Sequence, residues 1–412
     1  MQRLTFELIQ HTPIIHFQAN DKGATLRASE VKPKLDKFIL KEHKEKLPKS
    51  VIKEREEDKE KKEAKEFRKS LDYKMRIIAH NVDFKDIDAE SAPMYFGNIK
   101  AKKPKRLATA ESVKIIILVK DEVLKGCIEQ SIVRFFQLHN FGTRQSKGYG
   151  SFTVMSDGKK GIRDVYKYSF DVSGDDYKEV MNRINYFYKS LRSGINEYRG
   201  KGEQKTSILY FKSALHYYVT TVLNKQWDKK SIKEYFFPQQ LEEEKKRHKI
   251  EDISSKEKYD FRDLLGFSTD EARGKEYQVK KTCKKETDKG VEEFSRLKSP
   301  IQFKPICFGN NFTVFFDVFP ESSGWNDFLG SEVCVKALHK ENATPLREKP
   351  LILKVPTNID LKKALRYIFS NIDPEQRKST AMKEGKDIFN DIKAIYNKLH
   401  KELHDELEGN KK

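Results

Sequence analysis

The chain has 412 residues, 37% hydrophobic and 35% charged, with a formal net charge of +19. That length predicts two or three domains, and the charge favours a polyanionic partner, nucleic acid first, because every neutralised phosphate releases a condensed counterion. No apolar run approaches the roughly 20 residues that cross a bilayer, and the four scattered cysteines, without a CxxC pair or a His at zinc-ligand spacing, exclude a disulfide scaffold or zinc module.

The cysteines (Cys127, Cys283, Cys307, Cys334) are read as reduced thiols of a cytoplasmic protein. Glu7 and His11 interrupt what would have to be the apolar region of a signal peptide. The opening stretch, Leu4 to Phe17, alternates in part and predicts a strand kinked at Pro13. Residues 24–42 carry a helical rhythm through Leu26, Val31, Leu35, Phe38 and Ile39, which Pro33 interrupts near a first turn or at the start of a second helix. The charged run 41–69 holds i,i+4 pairs such as Glu57–Lys61 and Asp58–Lys62 and is read as a solvated helix or an insertion. A strand follows at 73–80. The tract "KAKKPKR" (100–106) is purely cationic, and a solvated linker and a phosphate-contacting loop both fit it.

The clearest unit comes next. "SVKIIILV" (112–119) is a strand by its β-branched density, and Asp121 is placed to cap a helix burying Leu124, Ile128, Ile132 and Phe135. After that helix comes "NFGTRQSKGYGSF" (140–152), then a strand at "SFTVM". The element order approximates βαββαβ, the ferredoxin-like arrangement also used by RNA-recognition modules.

A second cycle begins at Tyr166, with a strand "YKYSFDV" and a helix from Asp175 to Leu191. The apolar stretch 208–223 predicts another helix, and polar residues 239–290 an insertion holding one compact motif, "YDFRDLLGF" (259–267). Strands are predicted at "SPIQFKPICF" and "FTVFFDVF", then a helix capped by Asn358 or Asp360, another start at Asp373–Pro374, and a final amphipathic helix with Ile388, Ile392, Ile395, Leu399 and Leu403 on one stripe. The fold class is α+β, with two ferredoxin-like modules, at 1–160 and 161–412, charged insertions and a C-terminal amphipathic helix.

Two readings of the glycine-rich segment compete. One is an ordinary turn. The other is a cradle in which Gly142, Gly148 and Gly150 let backbone amides approach a phosphate, Arg144 and Lys147 add charge, and Tyr149 stacks on a base or ribose.

In its context the segment resembles the glycine-rich loop of the RAMP proteins of CRISPR systems. Residues 10–38, with Thr12–Pro13, Leu26–Arg27 and Lys32 five positions on, resemble the opening of the first subunit of the Cmr (type III-B) effector complex, and "SRLKSPIQFK" (295–304) is similar to its Arg-x-x-Ser-Pro strand. Pro33 departs from a usual glycine, and Lys37–Phe38 from a usual aromatic pair. The resemblance implies an RNA-binding subunit of a ribonucleoprotein, with CRISPR RNA, target RNA and other RAMP subunits as partners. It implies no cofactor, no metal and no catalytic residue. Arg27, Lys32, the six loop residues, Arg296 and Lys298 are then the candidate RNA contacts.

An alternative from the same superfamily is a metal-independent endoribonuclease that processes precursor CRISPR RNA, with His11, His16 or His139 as general acid–base. A third reading is an interaction protein that uses its C-terminal helix.

Overall fold

The computed structural model describes residues 1–15, 25–54, 69–87, 106–200, 206–247, 256–273, 276–288, 290–322 and 324–409. With 39% helix and 36% strand it is α+β. The chain divides into two units: Met1–Ile184 with Phe303–Asp317, and Asn185–Gln302 with Val318–Lys412. The expected boundary at 160 therefore moves past the second cycle's first strand, and residues 303–317 return to the first unit.

In the first unit, β1 (Gln2–Gln10), α1 (Ala28–His43), a short ribbon of β2 (Ile52–Glu54) and β3 (Lys69–Leu71), β4 (Tyr73–Asp86), β5 (Arg106–Val119), α2 (Glu122–Leu138) and β6 (Phe152–Val154) follow one another. Without the ribbon this is the βαββαβ order. The four long-range strands lie side by side as β4-β5-β1-β6, every pair antiparallel. Strict alternation sends Val113, Ile115, Ile117 and Val119 of β5 to one face, with Leu4 and Leu8 of β1, and there α1 and α2 pack. Each fully buried Ile or Phe in that layer stabilises by about 1.5–3 kcal/mol. Asp121 caps α2 as expected, its carboxylate accepting from the Leu124 amide at 2.8 Å. α1 runs unbroken through Pro33, whose ring lies exposed while Val31, Leu35 and Ile39 are buried. β1 ends at Gln10, before the predicted kink, and the chain touches the sheet again at Ile14, which bridges to Ala108.

The charged run 41–69 is described only at its ends, which form the end of α1, two 3₁₀ turns and the ribbon; the pairs expected on a solvated helix lie outside the described residues. Of "KAKKPKR" only Arg106 is described. It opens β5 and pairs with Asp86 at 3.0 Å.

Beyond β6, α3 (Ile162–Val165), β7 (Tyr168–Ser173) and α4 (Tyr177–Arg192) follow, and β7 pairs antiparallel with the strand Asn311–Val318, itself beside Ile301–Phe308. The second unit departs from the expectation of one βαββαβ sheet. Its described strands form two sheets: one of 378–381, 206–211 and 195–199, the other built around Tyr277–Thr287. The predicted helix at 208–223 is half strand, Thr206–Phe211, and half helix, Ala214–Thr221. The described residues of 239–290 form helix, 3₁₀ turn and strand, and "YDFRDLLGF" is largely buried core. Asp360 caps the helix Leu361–Asn371, Asp373–Pro374 opens a single turn, and the last helix, Lys383–Gly409, buries Ile392, Ile395, Leu399 and Leu403 as one stripe. Among the described residues no helix is long and apolar enough to cross a membrane.

Candidate nucleic-acid interface

The glycine-rich segment is held by the residues of the opening motif. The Thr12 hydroxyl donates to the Gly148 carbonyl at 2.7 Å and accepts from the Ser151 amide at 3.0 Å, and the Pro13 carbonyl accepts from Gly150 N–H at 2.9 Å. Asn140 donates to the carbonyls of Gln145 and Phe303, and Ser151 to that of Pro305. The amides of Phe141, Thr143, Lys147 and Gly148 also bond within the protein, while Gly142 N–H donates to Glu30 Oε1 at 2.8 Å. Seven of the loop's amide groups are therefore engaged by the protein itself, which corrects the picture of an amide cradle for phosphate.

The glycines have a packing reason. At Gly150 a Cβ would stand 2.0 Å from the Phe141 carbonyl oxygen, and at Gly148 2.8 Å from Pro305 Cγ, both at positive φ. Tyr149 is 0% exposed, so its ring fills the core and offers no face to a base; burial also raises its phenol pKa. Lys147 is buried as well. Both depart from the sequence reading because the second half of the loop, from Ser146, lies against the strand at 301–308.

The first half, Thr143 to Gln145, is partly exposed and faces α1. Glu30 joins the two: besides Gly142 N–H, its carboxylate accepts from Lys34 Nζ at 2.9 Å, and Lys34 reaches Gln145 Oε1 at 3.2 Å. Arg27 stands at the N-cap of α1, its carbonyl accepting from Glu30 and Val31. Arg27 at the cap of α1, Lys34 on it, and Arg144 next to the Gln145 that Lys34 reaches are each partly exposed, and they mark this corner. Arg144 holds φ 57°, a left-handed conformation that L-residues adopt at a cost of about 1–2 kcal/mol. Lys32 does not join the corner. It donates to Asp36 Oδ2 at 2.7 Å and the Leu71 carbonyl at 2.9 Å, and covers the Tyr73 ring at 4.1 Å, as a brace between α1 and β3. Arg296 and Lys298 belong to the second unit, where Arg296 is exposed and Lys298 half-buried.

Sequence reasoning missed Lys34 and Glu30, although both lie within the recognised helix opening, Lys34 partly exposed and Glu30 mostly buried. It also missed a shallow cleft of about 350 Å3 in the first unit, lined by Lys159, Arg163, Phe308 and Phe315. Phe308 is 39% exposed, with Lys159 Nζ 4.8 Å above its ring. An exposed aromatic flanked by cations is what stacking on a single-stranded base requires.

The histidines are engaged elsewhere. His11 Nδ1 accepts from the Cys307 amide at 3.2 Å, so Nε2 carries the proton and donates to Thr153 Oγ1 at 2.8 Å. Burial, with the charges of Lys304 and Lys159, pushes its pKa down to about 3. A buried neutral ring of this kind has no spare proton for a leaving oxygen near neutrality. His139 donates from Nδ1 to the Phe135 carbonyl at 2.8 Å, and His16 lies outside the described residues.

The depressed His11 pKa has a consequence for stability. The unfolded histidine takes up a proton below its ordinary value of 6.5 while the folded one stays neutral to about 3, so stability is intact above that ordinary value and falls as pH drops through this window. The slope approaches about 1.4 kcal/mol per pH unit. His11→Asn, whose Oδ1 can still accept from Cys307, is expected to flatten the fall in unfolding free energy between about pH 6 and pH 4. An unchanged slope in urea titrations would show that the ring is not held neutral.

Comparison with known families decides the relationship. The Cmr1 N-terminal domain matches residues 1–195 and the Cmr1 C-terminal domain matches residues 210–394. The chain belongs to the Cmr1 family. Cmr1 is a component of the Cmr effector complex of type III-B CRISPR systems. Among solved structures, apo Cmr1 from Pyrococcus furiosus is similar at 12% identity, covering 77% of this chain and 88% of that one, with a TM-score of 0.29. No curated protein matches the sequence. The Cmr1 N-terminal domain spans the whole βαββαβ sheet and the glycine-rich loop, so the corner of Arg27, Lys34 and Arg144 lies wholly inside it.

Proposed function

We propose that this Cmr1-family chain is an RNA-binding, non-catalytic subunit of a type III-B effector ribonucleoprotein. Its first unit acts as a ferredoxin-like RAMP module that holds the sugar–phosphate backbone of CRISPR RNA or target RNA. Arg27, Lys34 and Arg144 neutralise phosphates, and Phe308 with Lys159 and Arg163 offers a stacking platform. Base pairing between guide and target reads the sequence, while the protein grips the backbone. The observation that carries the reading is the Glu30 bridge between Gly142 and Lys34, which ties the helix opening to the accessible half of the loop.

A triple variant, Arg27→Gln, Lys34→Gln and Arg144→Gly, tests it. Glycine at 144 relieves the left-handed strain, so melting should not fall through that site. Each phosphate contact on a single strand contributes about 0.7 to the slope of log affinity against log salt, so the variant is expected to lose about 2 from that slope. The loss should be similar for unrelated RNA sequences. A wild-type slope in a folded triple variant would remove the corner from the interface.

A further inference from the structure

The second unit contains a cavity of about 410 Å3, within the range of roughly 300–1,000 Å3 usual for small-ligand sites. Its walls come from the helix Asp228–Phe236, the strand Thr206–Phe211 with the turn after it, the helix Ala214–Thr221, Arg262 of the buried "YDFRDLLGF" segment and the strand Asp270–Arg273. Six of its lining residues are Lys or Arg: Lys212, Lys229, Lys230, Lys233, Arg262 and Arg273. Two are carboxylates, and both are engaged. Glu271 receives both Arg262 amino groups at 2.8 Å, and Glu244 pairs with Lys233.

Lys229 and Arg273 meet neutral acceptors here. Lys229 Nζ donates to the Ser193 carbonyl at 2.5 Å, and Arg273 to the Gln240 amide oxygen at 3.2 Å while its guanidinium lies 4.2 Å over the Phe237 ring. The potential inside the cavity is correspondingly positive. Burial and the Arg262 charge push Lys229 down to about 8, against the pull of Glu271 and Asp228, with Arg192 adding to the push. Burial, Arg273 and Lys229 push Lys233 down to about 7 despite Glu244. Ammonium groups crowded this closely are stabilised by an anion between them. The rest of the lining mixes small, polar and aliphatic residues with rings: Tyr210, Phe211, and Trp227 edge-on to the His216 ring at 5.6 Å.

We propose that this cavity binds a ribonucleotide, its phosphate held by Lys229, Lys233 and Arg273 and its base set against these rings. The same chemistry can come from a free nucleoside monophosphate or from one nucleotide of a bound RNA. Only the second source rests on the RNA-binding reading above.

The test uses the full chain, AMP as the free probe and a single-stranded RNA of about 20 nucleotides. AMP binding is followed by calorimetry in wild type and in Lys229→Gln/Lys233→Gln, and RNA salt slopes are measured for both. If AMP binds and the double variant weakens it at least tenfold with an unchanged RNA slope, the cavity takes a free nucleotide. If the variant also lowers the RNA slope by about 0.7–1.4, the nucleotide belongs to RNA. Should the double variant fold poorly, amine acetylation of the wild type near pH 8 replaces it, because lysines with lowered pKa react ahead of surface ones. AMP or RNA should then protect Lys229 and Lys233. No AMP binding at millimolar concentration, with an unchanged RNA slope or unprotected lysines, overturns the cavity site. RNA binding itself would survive that result, so failure here stays distinct from failure of the proposed function.

Discussion

Replacing Lys304 with methionine is expected to destabilise the first unit by about 3–5 kcal/mol, the scale of leaving several buried oxygens without their donor. Lys304 is 0% exposed, and its Nζ donates to the carbonyls of Phe136, His139 and Phe152 and to Asn140 Oδ1, at 2.7–3.1 Å. Phe136 belongs to the last turn of α2, whose carbonyls have no partner within the helix, and an ammonium there also meets the negative end of the helix dipole. Methionine fills the space and leaves those oxygens buried without a donor, at about 1–3 kcal/mol each before relaxation. Burial also pushes the lysine's own pKa far down, so part of the loss is offset by relief of a buried charge. Urea unfolding gives the magnitude, and hydrogen exchange should show amides of 141–151 losing protection together. A change below about 1 kcal/mol would mean that the cluster does not anchor the loop.

The second large effect is expected from Arg262→Met, again about 3–5 kcal/mol. Arg262 is 3% exposed and holds Glu271 through both amino groups and Asp228 through Nε at 3.1 Å. Around it, Lys281 pairs with Asp263 at 2.7 Å and Arg192 with the same carboxylate at 2.8 Å. Burial alone would raise both Asp263 and Glu271. Lys281, Arg192 and Arg262 hold Asp263 below the usual carboxylate range, and Arg262 and Lys281 hold Glu271 well below it. A carboxyl depressed in the folded state contributes stability above its unfolded value near 4, and loses it as pH falls through the lower folded value. Without Arg262 the two acids facing it are stranded as charges at neutral pH and relieved by protonation in acid. The gap between wild type and Arg262→Met should therefore be widest near pH 7 and shrink towards pH 4, and a gap that widens in acid would contradict this. Arg262→Lys should recover only part of the stability, since an ammonium cannot span Glu271 and Asp228 at once.

Local signals in the sequence were reliable where the stabilising partner lies nearby in the chain. The cap at Asp121, the stripe 124–128–132–135 and the alternation of 113–119 each predict a piece of the first sheet, and the pieces assemble in the expected order. The apolar stretch 208–223 failed because a continuous hydrophobic run satisfies both periods. Ser213 was the available signal, since its hydroxyl caps the helix by accepting from the His216 amide at 3.0 Å. Residues 239–290 looked solvated because their charges are many, but Asp260, Arg262, Asp263 and Lys281 are buried, and Asp263 meets Lys281 eighteen residues on and Arg192 seventy-one residues back. No linear pattern displays such pairs.

The same limit governs the loop. Its glycines are legible as glycines, but that Phe141 and Pro305 require them, and that Glu30 takes the Gly142 amide, depends on contacts more than a hundred residues apart for Pro305 and Glu30. Tyr149 carried no mark in the sequence to separate a stacking ring from a core ring. The opening Thr12–Pro13 pair had a role the resemblance did not state: it fastens the loop. Of the residues named from sequence, Arg27 and Arg144 are partly exposed, and Lys34, which reaches Gln145, is added by the fold.

Ultraviolet cross-linking of the full chain to CRISPR RNA, with adducts mapped by mass spectrometry, tests the central claim most directly. Adducts are expected in the segments 25–34 and 141–147 and at Phe308. An RNA-bound chain whose adducts all lie outside those three places would contradict it.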